Sequence, residues 1–207
     1  MSAAKKLGLI SVPDYLAGEL VSKEKHEFVA GRVYAMAGGR NSHNALGVAF
    51  VSLVHAQLRG KPCQPFNSDT KVRVSMPTHT RFYYPDGMIV CEPNPGGDTF
   101  QDRPAVIAEV MSVSTRRLDE GEKREAYLSI PTLQSYLLIE TTEPRVTAFE
   151  RTNEGFVEHV YEGMDAVIPL LKNEVMLPLA ELYERIDFPA AQKEAADEWH
   201  EIEFGRQ

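Results

Sequence analysis

The sequence predicts an α/β (α+β) domain built on a mixed sheet flanked by helices. Three observations predict it. One long segment repeats its apolar residues at helical spacing, while several shorter ones alternate with period two. A nearly unbroken apolar run, Pro104–Met111, is followed by a helical segment and then by another apolar strand. The 207 residues, 43% hydrophobic and 25% charged, suit one globular domain that buries roughly 70% of its unfolded surface.

Taken in order, Pro13 to Leu20 reads as an opening helix, with Ser11 as N-cap and Pro13 in its first turn. His26–Ala30 and Arg32–Ala37 read as two short strands bent at Gly31, and Gly38-Gly39 closes that unit. Asn41 or Ser42 is placed to cap the next helix, in which Leu46, Phe50, Leu53, Val54 and Leu58 share a face. Gly60-Lys61-Pro62 ends it. Thr70–Ser75 alternates polar and apolar residues, and Arg81–Cys91 is a strand interrupted by Pro85. A loop from Glu92 precedes the Pro104–Met111 strand. Ser114 to Ser129 reads as a helix capped by Ser114 or Thr115, and Gln134–Glu140 as a strand. Arg145–Glu150 and Phe156–Tyr161 form a C-terminal hairpin, and Leu177–Arg185 a closing helix. Residues 1–188 constitute the domain, and 189–207 an acidic C-terminal tail.

No apolar run reaches the ~18 residues a membrane helix needs, and Lys5-Lys6 before a short apolar patch does not match a signal peptide. Cys63 and Cys91 show neither metal-ligand spacing nor a disulfide framework, so a reduced, cytoplasmic setting is expected. The net charge of −8 is unevenly spread. Residues 1–139 hold 16 Lys+Arg against 14 Asp+Glu, and residues 140–207 hold 6 against 16. A nucleic-acid partner is therefore compatible with the acidic total, because local potential governs encounter with phosphates.

Glu109 is the anomaly in the pattern. An ionised carboxylate in a strand with apolar neighbours on both faces must be paired, protonated or bound to a metal. Asp86, in Pro85-Asp86-Gly87, is a second acid beside an apolar strand, although the tripeptide is also a common turn. Asp119, Lys123 and Tyr127 follow at i, i+4, i+8 and line one helix face. Folded back over the end of the Glu109 strand, Lys123 would complete a two-acid-plus-lysine site for a hard divalent cation that prefers oxygen ligands and retains water.

These residues resemble those of the Uma-type endonucleases, a branch of the PD-(D/E)xK nuclease superfamily with the restriction-endonuclease-like fold. The resemblance rests on Pro85-Asp86, on Glu109-Val110 followed by Ser112-Val-Ser-Thr-Arg, and on Asp119, Lys123 and Tyr127. Upstream, Glu27 and Gly31 in HEFVAGRVYAMAGG and His43 at the start of a helix are similar too, so that Tyr15 to Phe188 is covered. The resemblance implies that Asp86, Glu109 and the carbonyl of Val110 bind Mg²⁺ (or Mn²⁺). The superfamily lysine would stand two positions after the acid, where this chain has Met111. Lys123 on the following helix takes its place, with Lys71 as the alternative. Val113 stands where a proline is expected. Glu27, His43, Asp69, Asp119 and Tyr127 are accessory candidates.

The implied activity is metal-dependent hydrolysis of DNA phosphodiester bonds, with weak non-specific DNA affinity and, by analogy with related nucleases, a homodimer. Two other classes remain open on sequence: a catalytically inactive nuclease-fold binding or assembly module, and a phosphohydrolase of small substrates.

Overall fold

The computed structural model describes residues 8–36, 38–112 and 116–188. The expected caps Ser114 and Thr115, Val113, the Lys5-Lys6 pair and the acidic tail lie outside them.

Helix α1 (Val12–Glu19) begins as expected, with Ser11 Oγ accepting from the Asp14 amide at 3.2 Å and a proline in the first turn. Strands β1 (His26–Val29) and β2 (Arg32–Ala35) form a tight hairpin. Ala30 and Gly31 between them both take positive φ, as the two-residue turn of that twist demands. These strands join β5 (Thr80–Tyr83), β4 (Lys71–Ser75) and β7 (Phe100–Gln101) in a five-stranded sheet ordered β2-β1-β5-β4-β7. Tyr15 of α1 stacks on Phe28 and lies against Phe82, which fixes α1 to one face of that sheet.

Helix α2 (Asn41–Leu58) buries Leu46, Phe50, Val54 and Leu58, as its periodicity predicts. Its N-cap is Arg40, without a side-chain cap bond, so Asn41 and Ser42 stand inside the first turn instead of capping it. The helix packs on a six-stranded sheet ordered β11-β10-β9-β8-β6-β3, comprising β3 (Gln64–Asn67), β6 (Gly87–Val90), β8 (Pro104–Val110), β9 (Ser135–Ile139), β10 (Arg145–Thr152) and β11 (Gly155–Glu162). All seven residues of β8 are buried. Strands β8 and β9 are parallel, and the connection between them is helical: α3 (Arg116–Leu118), a π turn (Asp119–Lys123) and α4 (Arg124–Leu128).

The predicted class therefore holds, a mixed α+β fold with a mixed central sheet. Its details differ in three ways. Strand pairing is divided between the two large sheets and a two-stranded ribbon of β12 (Val167–Leu170) and β13 (Val175–Pro178), and these two with β3 and β7 carry little sequence signal, being two to four residues long. The expected hairpin is β10–β11, but β10 also pairs with β9, so the hairpin extends the central sheet. The expected closing helix begins late: Val175 and Leu177 alternate inward as strand residues, and only α5 (Leu179–Leu182) is helical.

A correction concerns the cysteines. Cys63 and Cys91 form a disulfide, and neither is free. Strands β3 and β6 pair antiparallel with Gln64 opposite Val90, which makes Cys63 and Cys91 the next opposed pair. A separation of 28 residues gives no local hint of that. Among the described residues no helix is long and apolar enough to cross a membrane.

Candidate active site

The site lies where the end of β8 meets the start of β6, beneath the helical connection and the first hairpin. Strand β6 begins at Gly87, opposite Ala108, so beyond that point β8 keeps its β9 partner but has none on its β6 edge. Asp86 takes that place: its Oδ2 accepts the Val110 amide at 2.7 Å. Gly87 itself is dictated by α2, because a Cβ there would stand 2.5 Å from Phe50 Cδ1.

Glu109 points into the protein and meets the helical connection. Lys123 Nζ lies 3.2 Å from Glu109 Oε1, 3.0 Å from Glu27 Oε1 and 3.4 Å from Asp119 Oδ1. The Tyr127 hydroxyl donates to the same Glu109 oxygen at 2.9 Å. The π turn holds both Asp119 and Lys123 inward, with Gly121, a weak helix former, at its centre. Tyr136, on β9, anchors that turn by donating to the Asp119 carbonyl at 3.1 Å. Glu27 arrives from the other sheet and also accepts the Tyr84 amide at 3.4 Å.

Burial governs the electrostatics. It pushes the carboxyls of Glu109 and Glu27 above the usual range, Glu109 well above, even though Lys123 opposes the shift in both. For Lys123 burial acts the other way, yet Glu109, Glu27 and Asp119 together hold its ammonium well above the ordinary lysine value. Lys123, Glu27, Glu109 and Asp119 are all at most 4% exposed, whereas the Asp86 and His43 side chains are 16% and 17% exposed and form the approach from solvent. His43 Nε2 lies 3.2 Å from Asp86 Oδ2.

The fold thus brings together Asp86, Glu109, Lys123, Val110, Glu27, His43, Asp119 and Tyr127. It keeps two candidates apart. Lys71 donates to the Tyr84 hydroxyl at 3.1 Å, next to Glu19 and His26. Since the adjacent Val72 belongs to the core containing Tyr127, Lys71 occupies the opposite face of its strand. Asp69 is exposed and pairs with Lys25 at 2.6 Å. Tyr136 escaped sequence reading because an aromatic residue in an apolar strand looks like any other core residue.

Among the described residues, four carboxylates gather here around one lysine and one histidine. Glu27 Oε2 is buried without a hydrogen-bond partner, and Asp86 Oδ1 and Glu109 Oε2 have none among the described residues. Hard oxygen donors with surplus negative charge fit a divalent cation such as Mg²⁺. Among the described residues no three His, Cys, Asp or Glu side chains converge as a complete ligand set. A cation would therefore take the two carboxylates and fill its shell with a backbone carbonyl and water, as Mg²⁺ commonly does.

A family model described as "Putative restriction endonuclease", Uma2, matches residues 12–180, the whole span that builds this site. The chain belongs to the Uma2 family. Two uncharacterized proteins of Synechocystis sp. are similar to this Uma2 protein. One, slr1290, is 34% identical over 148 residues, 70% of this chain and 76% of the relative. The other, sll1609, is 30% identical over 149 residues, 70% and 83%. Among solved structures, one described as a putative nuclease belonging to DUF820 from Anabaena variabilis superposes with a TM-score of 0.65. That match covers 84% of this chain and 98% of the other at 16% identity, and so shows a shared fold.

Proposed function

We propose that this Uma2 protein is a Mg²⁺- or Mn²⁺-dependent endonuclease hydrolysing phosphodiester bonds in DNA. The observation that carries the reading is the buried Lys123–Glu109 contact at 3.2 Å beside Asp86, two acids and a lysine contributed by separate elements. The Uma2 description and the nuclease title of the structural neighbour support it.

In this reading Asp86 and Glu109, with the Val110 carbonyl, hold the cation. When bound, such an ion lowers the pKa of its water and offsets charge on a phosphoryl oxygen. Tyr127 fixes the rotamer of Glu109 through its hydroxyl. Lys123 acts from beneath, its ammonium countering negative charge that grows as water adds to phosphorus and one P–O ester bond breaks. Substrate approaches from the side of Asp86 and His43, where the cluster reaches solvent.

The test is cleavage of supercoiled, linear and single-stranded DNA by the full chain with Mg²⁺, Mn²⁺ or EDTA. Cleavage is expected with either cation and not with EDTA. Asp86→Asn and Glu109→Gln are expected to lose on the order of 10³-fold, the several kcal/mol that metal catalysis supplies. Cleavage that persists in both variants would overturn the assignment.

One observation favours a second reading, an inactive nuclease-fold binding module: Lys123 already sits against Glu27, Glu109 and Asp119 in a nearly closed pocket, where a lysine takes the place a cation would hold. Calorimetric titration with Mn²⁺ separates the two, since the module takes up no cation at Asp86.

A further inference from the structure

The start of α2 is held close to Asp86 because glycines stand where a side chain would not fit. Gly39 precedes the helix, and a Cβ there would stand 2.6 Å from His43 Nδ1 and 2.9 Å from Asn44 Oδ1. Further along, Phe50 fills the space that a side chain at position 87 would need. Two glycines thus let the helix and its preceding loop approach until the His43 ring rests on Asp86. There Nε2 is 3.2 Å from Oδ2, the same oxygen that accepts the Val110 amide at 2.7 Å. Both protein donors fall on one oxygen, and Oδ1 carries none among the described residues. A carboxylate free to rotate would exchange its two oxygens; one pinned at Oδ2 by donors from two directions cannot.

We infer that His43 is a positioning residue for Asp86: it locks one carboxylate oxygen against the Val110 amide and leaves the other available to a divalent cation. The inference rests on the proposed metal role of Asp86 and adds a residue that acts through it. Nothing in it requires His43 to touch substrate. Gln is the conservative replacement, since its amide nitrogen can donate from near the Nε2 position.

The experiment uses the full chain as wild type, His43→Ala and His43→Gln, with two readouts. In the metal-free proteins, amide NMR follows Val110. His43→Ala is expected to shift its proton upfield and speed its hydrogen exchange at least about tenfold relative to neighbouring β8 amides, and His43→Gln to restore both in large part. In a Mn²⁺ titration, His43→Ala is expected to bind about 10- to 100-fold more weakly, the usual consequence of losing a residue that orients a ligand, with His43→Gln again intermediate. A Val110 amide unchanged in His43→Ala overturns the inference, whatever the metal data. Wild type that takes up no Mn²⁺ overturns the proposed function instead, and the NMR result still decides whether His43 holds Asp86. Equal Mn²⁺ affinity in wild type and His43→Ala overturns the positioning role while leaving the nuclease reading intact. Should His43→Ala fail to fold, His43→Phe, which fills the space of the ring without a donor, takes its place: faster Val110 exchange and weaker Mn²⁺ binding than in His43→Gln are expected, and a Val110 amide and an affinity that both match wild type overturn the inference.

Discussion

Lys123 has three carboxylates within 3.4 Å and almost no solvent, so removing its charge strands acids that water cannot reach. Lys123→Met is expected to destabilise the metal-free protein by about 3–5 kcal/mol, measured by urea unfolding in EDTA. Tyr127→Phe removes only one donor from Glu109 and is expected to cost about 1–3 kcal/mol in the same assay. Lys71 gives a pH dependence that can be isolated. Burial depresses its ammonium below 10.5, so the folded chain holds that proton less tightly than the unfolded chain does. Stability therefore rises with pH between the depressed value and 10.5, and Lys71→Met is expected to lack this rise when unfolding free energies are compared with wild type across that window. At this scale Glu109 was legible, because a charge in an apolar strand demands a partner. The choice between Lys123 and Lys71 was not legible, since both stand near acids in the chain and only the packing of sheets shows which face each occupies.

At the scale of elements, the contact between α2 and β6 sets the position of Asp86. Gly87→Ala is expected to cost about 1–3 kcal/mol by overpacking against Phe50, and Phe50→Leu in the same chain to return part of it. A double-mutant cycle on thermal or urea unfolding reads that coupling. Helical periodicity revealed α2, and unbroken apolarity revealed β8, because each is a property of neighbouring residues. The π turn at Asp119–Lys123 was invisible: an α-helix of the same sequence also places residues 119, 123 and 127 on one face. Strands β12 and β13 were equally hidden, being four residues each and paired only with one another.

For the whole molecule, the disulfide ties edge strand β3 to β6 and closes a long loop. Replacing both cysteines by serine is expected to lower stability by about 3 kcal/mol, read as a shift in the urea midpoint under non-reducing conditions. The net charge of −8 is consistent with weak non-specific attraction to DNA, although a bound cation would lessen the repulsion at the site itself.

The sequence by itself determined the helical and strand periods, the fold class, and the presence of a buried acid that needs a counter-charge. Its short motifs, in their order, also pointed to the family. Tertiary structure alone decided that pairing divides between two large sheets and a separate two-stranded ribbon, that Glu27 crosses from one of the large sheets to reach Lys123, that Cys63 meets Cys91, and that His43 rests on Asp86. The physical reason is range. Periodicity and charge are written along neighbouring residues, whereas these contacts join residues 28 to 96 positions apart and depend on strand register and on how closely a helix can approach a glycine.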